Sequence, residues 1–132
     1  MGGNDLNNRL LTPQHLAHRY VDIYKDHAKV VIFCSIVYRD RPWFMSKKQF
    51  RARADLYNNS LRELAVSYPH FLYWEDRRLE RYIVGSRDGV HFTEHGNLRF
   101  FFSLKLAVKQ GLSLLQTIDQ GQSLFFPRYI QF

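Results

Sequence analysis

Residues 30–37 read VVIFCSIV, a continuous apolar and β-branched run without a charged side chain. Strands covered on one face alternate apolar and polar residues. A run without alternation is how a strand covered on both faces of a parallel sheet reads. Residues 71–74, FLYW, form a second short run of this kind. Between them Phe50, Ala54, Tyr57, Leu61, Leu64 and Tyr68 recur at spacings of four and three, and Pro69 follows. That period predicts an amphipathic helix stopped by the proline. Strand, helix, strand with buried strands implies a right-handed crossover and a parallel sheet, hence an α/β fold.

The flanking segments extend this order. Thr12-Pro13 is a helix start, with Thr as N-cap and Pro at the first helical position. Leu16, Tyr20 and Ile23 then share a face, which predicts a helix over residues 13–26. Residues 38–48 are a polar loop, and residues 75–92 form a long charged loop. Thr93 caps a last helix over 94–109 whose apolar residues, Leu98, Phe101, Phe102, Leu104, Leu106 and Val108, wrap most of its circumference. That pattern predicts a well-buried helix, with Gly111 as its stop. Residues 112–132 show no firm period.

A chain of 132 residues allows one domain. At 45% hydrophobic and 16% aromatic it is not a disordered tail. A single cysteine, Cys34, excludes a disulfide framework and a cysteine zinc module; Cys34 and Ser35 read as packed core. No apolar run is long enough for a transmembrane helix, so no membrane partner is expected. The N-terminal MGGNDLNN lacks the apolar region of a signal peptide. Leu6 stands where a myristoylation motif needs Ser or Thr.

Asp88-Gly89-Val90-His91 is the segment with a chemical reading. An Asp three residues before a His can lie in one turn with its carboxylate on the imidazole Nδ1. The other ring nitrogen is then left to act as a general base. The loop follows a strand, where open α/β sheets place their ligand sites. At the N-terminus, Gly2-Gly3-Asn4-Asp5 is a turn signal of the sort that follows a strand, yet no strand precedes it. An incomplete domain is therefore expected.

Taken together, Gly2-x-Asn4-Asp5 and Asp88-x-x-His91 resemble blocks of the SGNH/GDSL hydrolases, a family of esterases and related acyl hydrolases. The stretch Thr93-Glu94-His95-Gly96-Asn97 is similar to that family's entry into its last helix. The resemblance implies a partial flavodoxin-like three-layer α/β/α sandwich with parallel strands, the N-terminal strands missing. It divides the chain into residues 1–110, the C-terminal part of such a domain, and a tail, 111–132. It implies His91 as general base, Asp88 as the acid that orients it, and Asn4 as the oxyanion-hole amide. Gly2 and Asp5 become the supporting loop, and a small acyl ester the substrate of a complete domain. No cofactor and no metal are implied. The chain has no Gly-Asp-Ser, and Gly85-Ser86-Arg87-Asp88 has those letters in another order and another loop. With no nucleophile, the chain alone is expected to be inactive, since a triad without its serine retains only oxyanion and binding effects.

A second reading comes from the charge of +7. Arg39, Arg41, Lys47, Lys48, Arg51 and Arg53 crowd one loop and helix start, interleaved with Tyr38, Trp43, Phe44 and Phe50. Cations on phosphates and aromatics on bases would suit a nucleic acid. This describes a non-catalytic binding or scaffold remnant, and the 71–97 pattern is also similar to SGNH-type modules of retrotransposon-encoded proteins. A solvated basic face is the plainer account. The histidine pairs His91/His95 and His15/His18 lack a third ligand and the HExxH order. Asn58-Asn59-Ser60 fits the glycosylation pattern but lies on a predicted helix.

Overall fold

The computed structural model describes residues 2–121 and 126–132. The order is α1 (Gly3–Leu6), α2 (Pro13–Tyr24), β1 (Val31–Cys34), α3 (Lys47–Ser67), β2 (Phe71–Glu75), α4 (Glu80–Val84), α5 (Glu94–Asp119) and β3 (Tyr129–Gln131). The strands form one parallel sheet, β1-β2-β3. Val31 pairs with Phe71 and Cys34 with Trp74, while Tyr73 pairs with Tyr129. The fold is α/β.

β2 is central, and Phe71, Leu72, Tyr73 and Trp74 are all buried. Alternate residues meet different layers. Phe71 and Tyr73 belong to the main core with α2 and α3, through Leu16, Val21, Phe50, Ala54, Tyr57 and Leu61. Fully burying a side chain such as Phe50 or Leu61 is worth about 1.5–3 kcal/mol, so the α3 stripe dominates the cohesion of this half. On the other face Trp74 donates its indole N–H to Ser103 of α5 at 2.9 Å. Gly111 of α5 lies so close over β1 that a Cβ there would stand 2.6 Å from Ile32 Cδ1. Helices therefore cover both faces of the sheet.

Local chemistry fixes the ends of α3. Ser46 Oγ accepts from the Gln49 N–H at 3.1 Å, and the Ser46 N–H donates to Gln49 Oε1 at 2.9 Å, a complete capping box. Tyr68, which precedes Pro69, is extended at φ −120° and ψ 121°, as a residue before proline must be. Thr93 caps α5 by accepting from the Gly96 N–H at 3.0 Å. Thr12 sits at the N-cap of α2, but its side chain forms no cap hydrogen bond.

Several expectations need correction. β1 is partly buried rather than enclosed, and Cys34 is exposed rather than core, because among the described residues nothing pairs with the outer edge of β1. α5 is not buried all round: Leu98, Phe101, Phe102, Val108 and Leu112 are half or more exposed. It contacts the sheet along Ser103, Ala107, Gly111 and Leu114, and its outer side meets no other layer. Gly111 does not end the helix; α5 runs on to Asp119, and the glycine serves its close approach to Ile32. The 75–92 loop contains α4, and the segment after 111 contributes a third strand that pairs with β2. No helix among the described residues is long and apolar enough to cross a membrane.

Candidate active site

The loop after α4 brings Asp88 and His91 into contact. Asp88 Oδ2 lies 2.6 Å from His91 Nδ1. Its other oxygen accepts the backbone N–H groups of Val90 and His91, each at 2.9 Å. One carboxylate thus closes the turn and holds the ring. The His91 side-chain bond, then the two backbone donors, keep the Asp88 carboxyl far below the usual carboxylate range. The pair is solvent-facing, with side-chain exposures of 75% for His91 and 48% for Asp88. Among the described residues no group bonds Nε2 of His91.

Gly89 makes the turn possible. Its φ of +69° lies in the left-handed region, and a Cβ would fall within 3.0 Å of Arg41 side-chain atoms. Its carbonyl accepts from the N–H groups of Asp40 and Arg41, at 2.9 and 3.0 Å. Arg41 also reaches the carbonyls of Ser86 and Arg87. The segment after β1 is in this way fastened to the Asp88–His91 turn.

The same segment holds Asn4. Arg39 donates to Asn4 Oδ1 at 2.9 Å and lies 5.3 Å over the Phe50 ring. With the Asn7 amide turned to satisfy both of its ends, Arg39 also donates to Asn7, and Asn7 donates to the Trp43 carbonyl. Burial lowers the Arg39 pKa, and the Asp88 charge works against that shift. Arg39 thus bonds Asn4 and senses the field of Asp88. Because Oδ1 of Asn4 is engaged as an acceptor, its NH2 is the end left to donate to a ligand.

The supporting residues fall beside it. Gly2 has φ +94°, and a Cβ there would meet Ile36 Cδ1 at 3.0 Å and Tyr57 Oη at 3.3 Å. Asp5 accepts a short hydrogen bond from the Tyr20 hydroxyl. Burial first, and this bond second, push the Tyr20 pKa up to about 12. Arg53 ties down the rest of the N-terminal segment through the carbonyls of Leu6, Asn8 and Leu11.

Sequence reasoning placed Arg39, Arg41 and Arg53 in a nucleic-acid patch and missed this positioning role. Much of that patch bonds partners on the same chain while remaining at the surface. Lys47 pairs with Asp40 at 2.8 Å, and Arg51 pairs with Glu80 and lies 4.3 Å over Tyr38. The only signal available was position: Arg39-Asp40-Arg41 follows β1, and the carboxyl ends of parallel strands are where sites assemble. A crevice of about 390 Å³ does open there, lined by Ser35, Tyr38, Asp55, Asn58, Arg62 and Glu75 among others. Asn4, Asp88 and His91 do not line it.

Among the described residues no three His, Cys, Asp or Glu side chains gather to hold a metal ion. His95 packs edge-on against Tyr82, apart from the His91–Asp88 pair. Compared with protein-family models, with curated proteins and with solved structures, the chain matches none.

Proposed function

We propose that this chain carries the acid–base pair and the oxyanion donor of an SGNH-type acyl-ester hydrolase, on a partial sandwich of that family's kind, without the nucleophile. The observation that carries the reading is the 2.6 Å contact of His91 Nδ1 with Asp88, on a turn whose Gly89 carbonyl accepts from the Asp40 and Arg41 N–H groups, next in sequence to the Arg39 that bonds Asn4. In this reading Asp88 fixes the ring and stabilises the imidazolium, and Nε2 takes the proton from an attacking hydroxyl. The Asn4 NH2 donates to the oxyanion. Removing one such donor typically costs about 10²–10³ in rate. Gly2 and Asp5 shape the loop that presents it. The nucleophilic serine is not supplied by these residues, so the chain alone does not turn over esters.

Binding of a tetrahedral anion tests the reading without requiring turnover. Dimethyl phosphate is titrated into the ¹⁵N-labelled chain. The Asn4 side-chain NH2 and the His91 ring signals should shift along one saturation curve, and Asn4→Ala and Asp88→Asn should each weaken it. Independent curves, or no shift at either residue, would contradict a shared site. His91-dependent hydrolysis of an acetyl ester by the purified chain would contradict the missing nucleophile. The nucleic-acid reading has less support, because Arg39, Arg41, Lys47, Arg51 and Arg53 each bond a partner on the same chain.

A further inference from the structure

The crevice of about 390 Å³ opens at the carboxyl ends of β1 and β2, where parallel sheets place their ligands. Its volume falls in the range of roughly 300–1,000 Å³ typical of small-molecule sites. One wall is a stripe of α3, where Asp55, Asn59 and Arg62 recur at spacings of four and three. The other walls are the segment after β1 and the stretch from the end of β2 to the start of α4. These walls are complete without any further strand beside β1.

Its charge runs against that of the chain. The whole sequence carries +7. The crevice has four carboxylates, Asp55, Glu75, Asp76 and Glu80, against two guanidiniums, Arg62 and Arg77. Part of this charge is paired. Asp55 accepts from the Tyr38 hydroxyl, and Glu80 pairs with Arg51. Glu75 Oε2 accepts from Arg77 at 3.1 Å and from the Tyr129 hydroxyl at 2.6 Å. The rest is not. Asp76 is only 8% exposed, and its carboxylate accepts just the Arg78 N–H, through Oδ1 at 2.9 Å. Among the described residues, Oδ2 of Asp76 and Oε1 of Glu75 have no partner. Arg62 is half-buried and lies 5.3 Å over the Tyr129 ring, without a hydrogen bond or ion pair among the described residues. Charge removed from water is costly until it is paired.

Behind these groups the Tyr73 hydroxyl is enclosed and lacks a partner among the described residues. Burial, then Glu75 and Tyr129, push its pKa far up, while Arg62 and Ser35 work against that shift. Glu75, Arg62 and Ser35 all line the crevice, so this unsatisfied donor stands at its wall. An orphaned buried donor in a folded protein calls for a reason, and a polar occupant of the crevice supplies one.

We propose that this crevice binds a free basic α-amino acid. The ligand's carboxylate sits on the Arg62 guanidinium, whose fork of N–H donors matches it. Its α-ammonium donates to Asp76 Oδ2 and Glu75 Oε1. A neutral polyol would also find donors and acceptors here, but unpaired formal charges of both signs favour a zwitterion. The excess of carboxylates over guanidiniums favours a further positive charge on the ligand's side chain. None of this depends on the acyl-hydrolase reading, whose residues Asn4, Asp88 and His91 do not line the crevice.

Titration of L-lysine into the ¹⁵N-labelled chain tests it. The backbone amides of residues 35–38 and 75–77 should shift along one saturation curve. L-Norleucine, which keeps the zwitterion and loses the terminal charge, should bind more weakly, and L-glutamate more weakly still. L-Lysinamide lacks the carboxylate and Nα-acetyl-L-lysine lacks the α-ammonium. Both should lose most of the affinity, which separates a free amino acid from a peptide end. Arg62→Gln and Asp76→Asn should each weaken lysine binding roughly tenfold or more, with an unaltered circular dichroism spectrum. Asp76→Asn keeps the acceptor for the Arg78 N–H. Should it nevertheless fail to fold, Arg62→Gln, which gives up only a ring contact, carries the test. No shift at these amides up to roughly 10 mM lysine, ten times a millimolar dissociation constant, would overturn the proposal. So would equal binding of lysine, norleucine and glutamate, undiminished binding of lysinamide, or full affinity in Arg62→Gln. Saturable shifts with glucose but not with lysine would overturn it in favour of a neutral polyol.

Discussion

Asn58 offers the sharpest test of how the fold holds the site. It is 8% exposed and stands in for a neighbouring strand, bonding both backbone groups of Ile36. Ile36 lies three residues before Arg39, so this contact sets where the segment between β1 and α3 begins. Asn58→Ala removes an acceptor and a donor together. Each orphaned buried group costs about 1–3 kcal/mol. Ile36 is only partly buried, so water replaces some of the loss, and about 2–3 kcal/mol in total is expected. At an unfolding entropy of about 2.1 cal/mol/K per residue, that lowers Tm by roughly 7–11 °C. The assay is thermal unfolding followed by circular dichroism at fixed protein concentration, with the exposed neighbour Asn59→Ala as control. An Asn58→Ala variant melting within about 2 °C of the parent would refute the argument that the Ile36 groups depend on this side chain.

Ser103→Ala leaves the buried Trp74 N–H unpaired. It should cost about 1–3 kcal/mol in urea unfolding followed by tryptophan fluorescence; an unchanged midpoint would contradict it. Arg53→Met frees the carbonyls of Leu6, Asn8 and Leu11, so amide exchange should accelerate over residues 6–11 while β2 keeps its protection. The Asp88 carboxyl is depressed in the folded state, so its contribution to stability is complete above the unfolded value near 3.9 and is lost as pH falls through the lower folded value. A carboxyl NMR titration should find Asp88 still ionised at about pH 3; a midpoint near 3.9 would refute the three-donor turn. Tyr20 is raised, so its contribution is complete below about pH 10 and is lost as pH rises through about 12. Asp5→Asn should lower its ultraviolet titration midpoint.

Local features were the most legible. The Asp88–His91 turn spans four residues, and its bonds are dictated by an Asp side chain beside its own backbone. The helix stripe that starts at Phe50 and the strand at 71–74 were legible because Phe50 to Leu61 and Phe71 to Trp74 are enclosed, so periodicity and burial agree. The Ser46-x-x-Gln49 box was readable but overlooked. What could not be read depends on distant neighbours. An apolar helix surface looks the same whether it is enclosed or, like Phe101 and Val108, meets no other layer. A glycine near an expected helix end looks like a stop, yet Gly111 exists for its contact with Ile32, far away in the chain. Arg39 meets Asn4 across 35 positions, and no spacing rule announces such a bond. The clustered arginines suggested a polyanion, and only three dimensions show that much of their hydrogen bonding goes to partners on the same chain.

In the proposed function Asp88 holds His91 with Nδ1 protonated and Nε2 bare, ready to accept a proton. Ring-nitrogen NMR of the neutral His91 imidazole tests this directly. A single tautomer is expected, with the proton on Nδ1 in the parent chain and that preference lost in Asp88→Asn. A proton on Nε2, or the mixed tautomers of a free histidine in the parent chain, would contradict it.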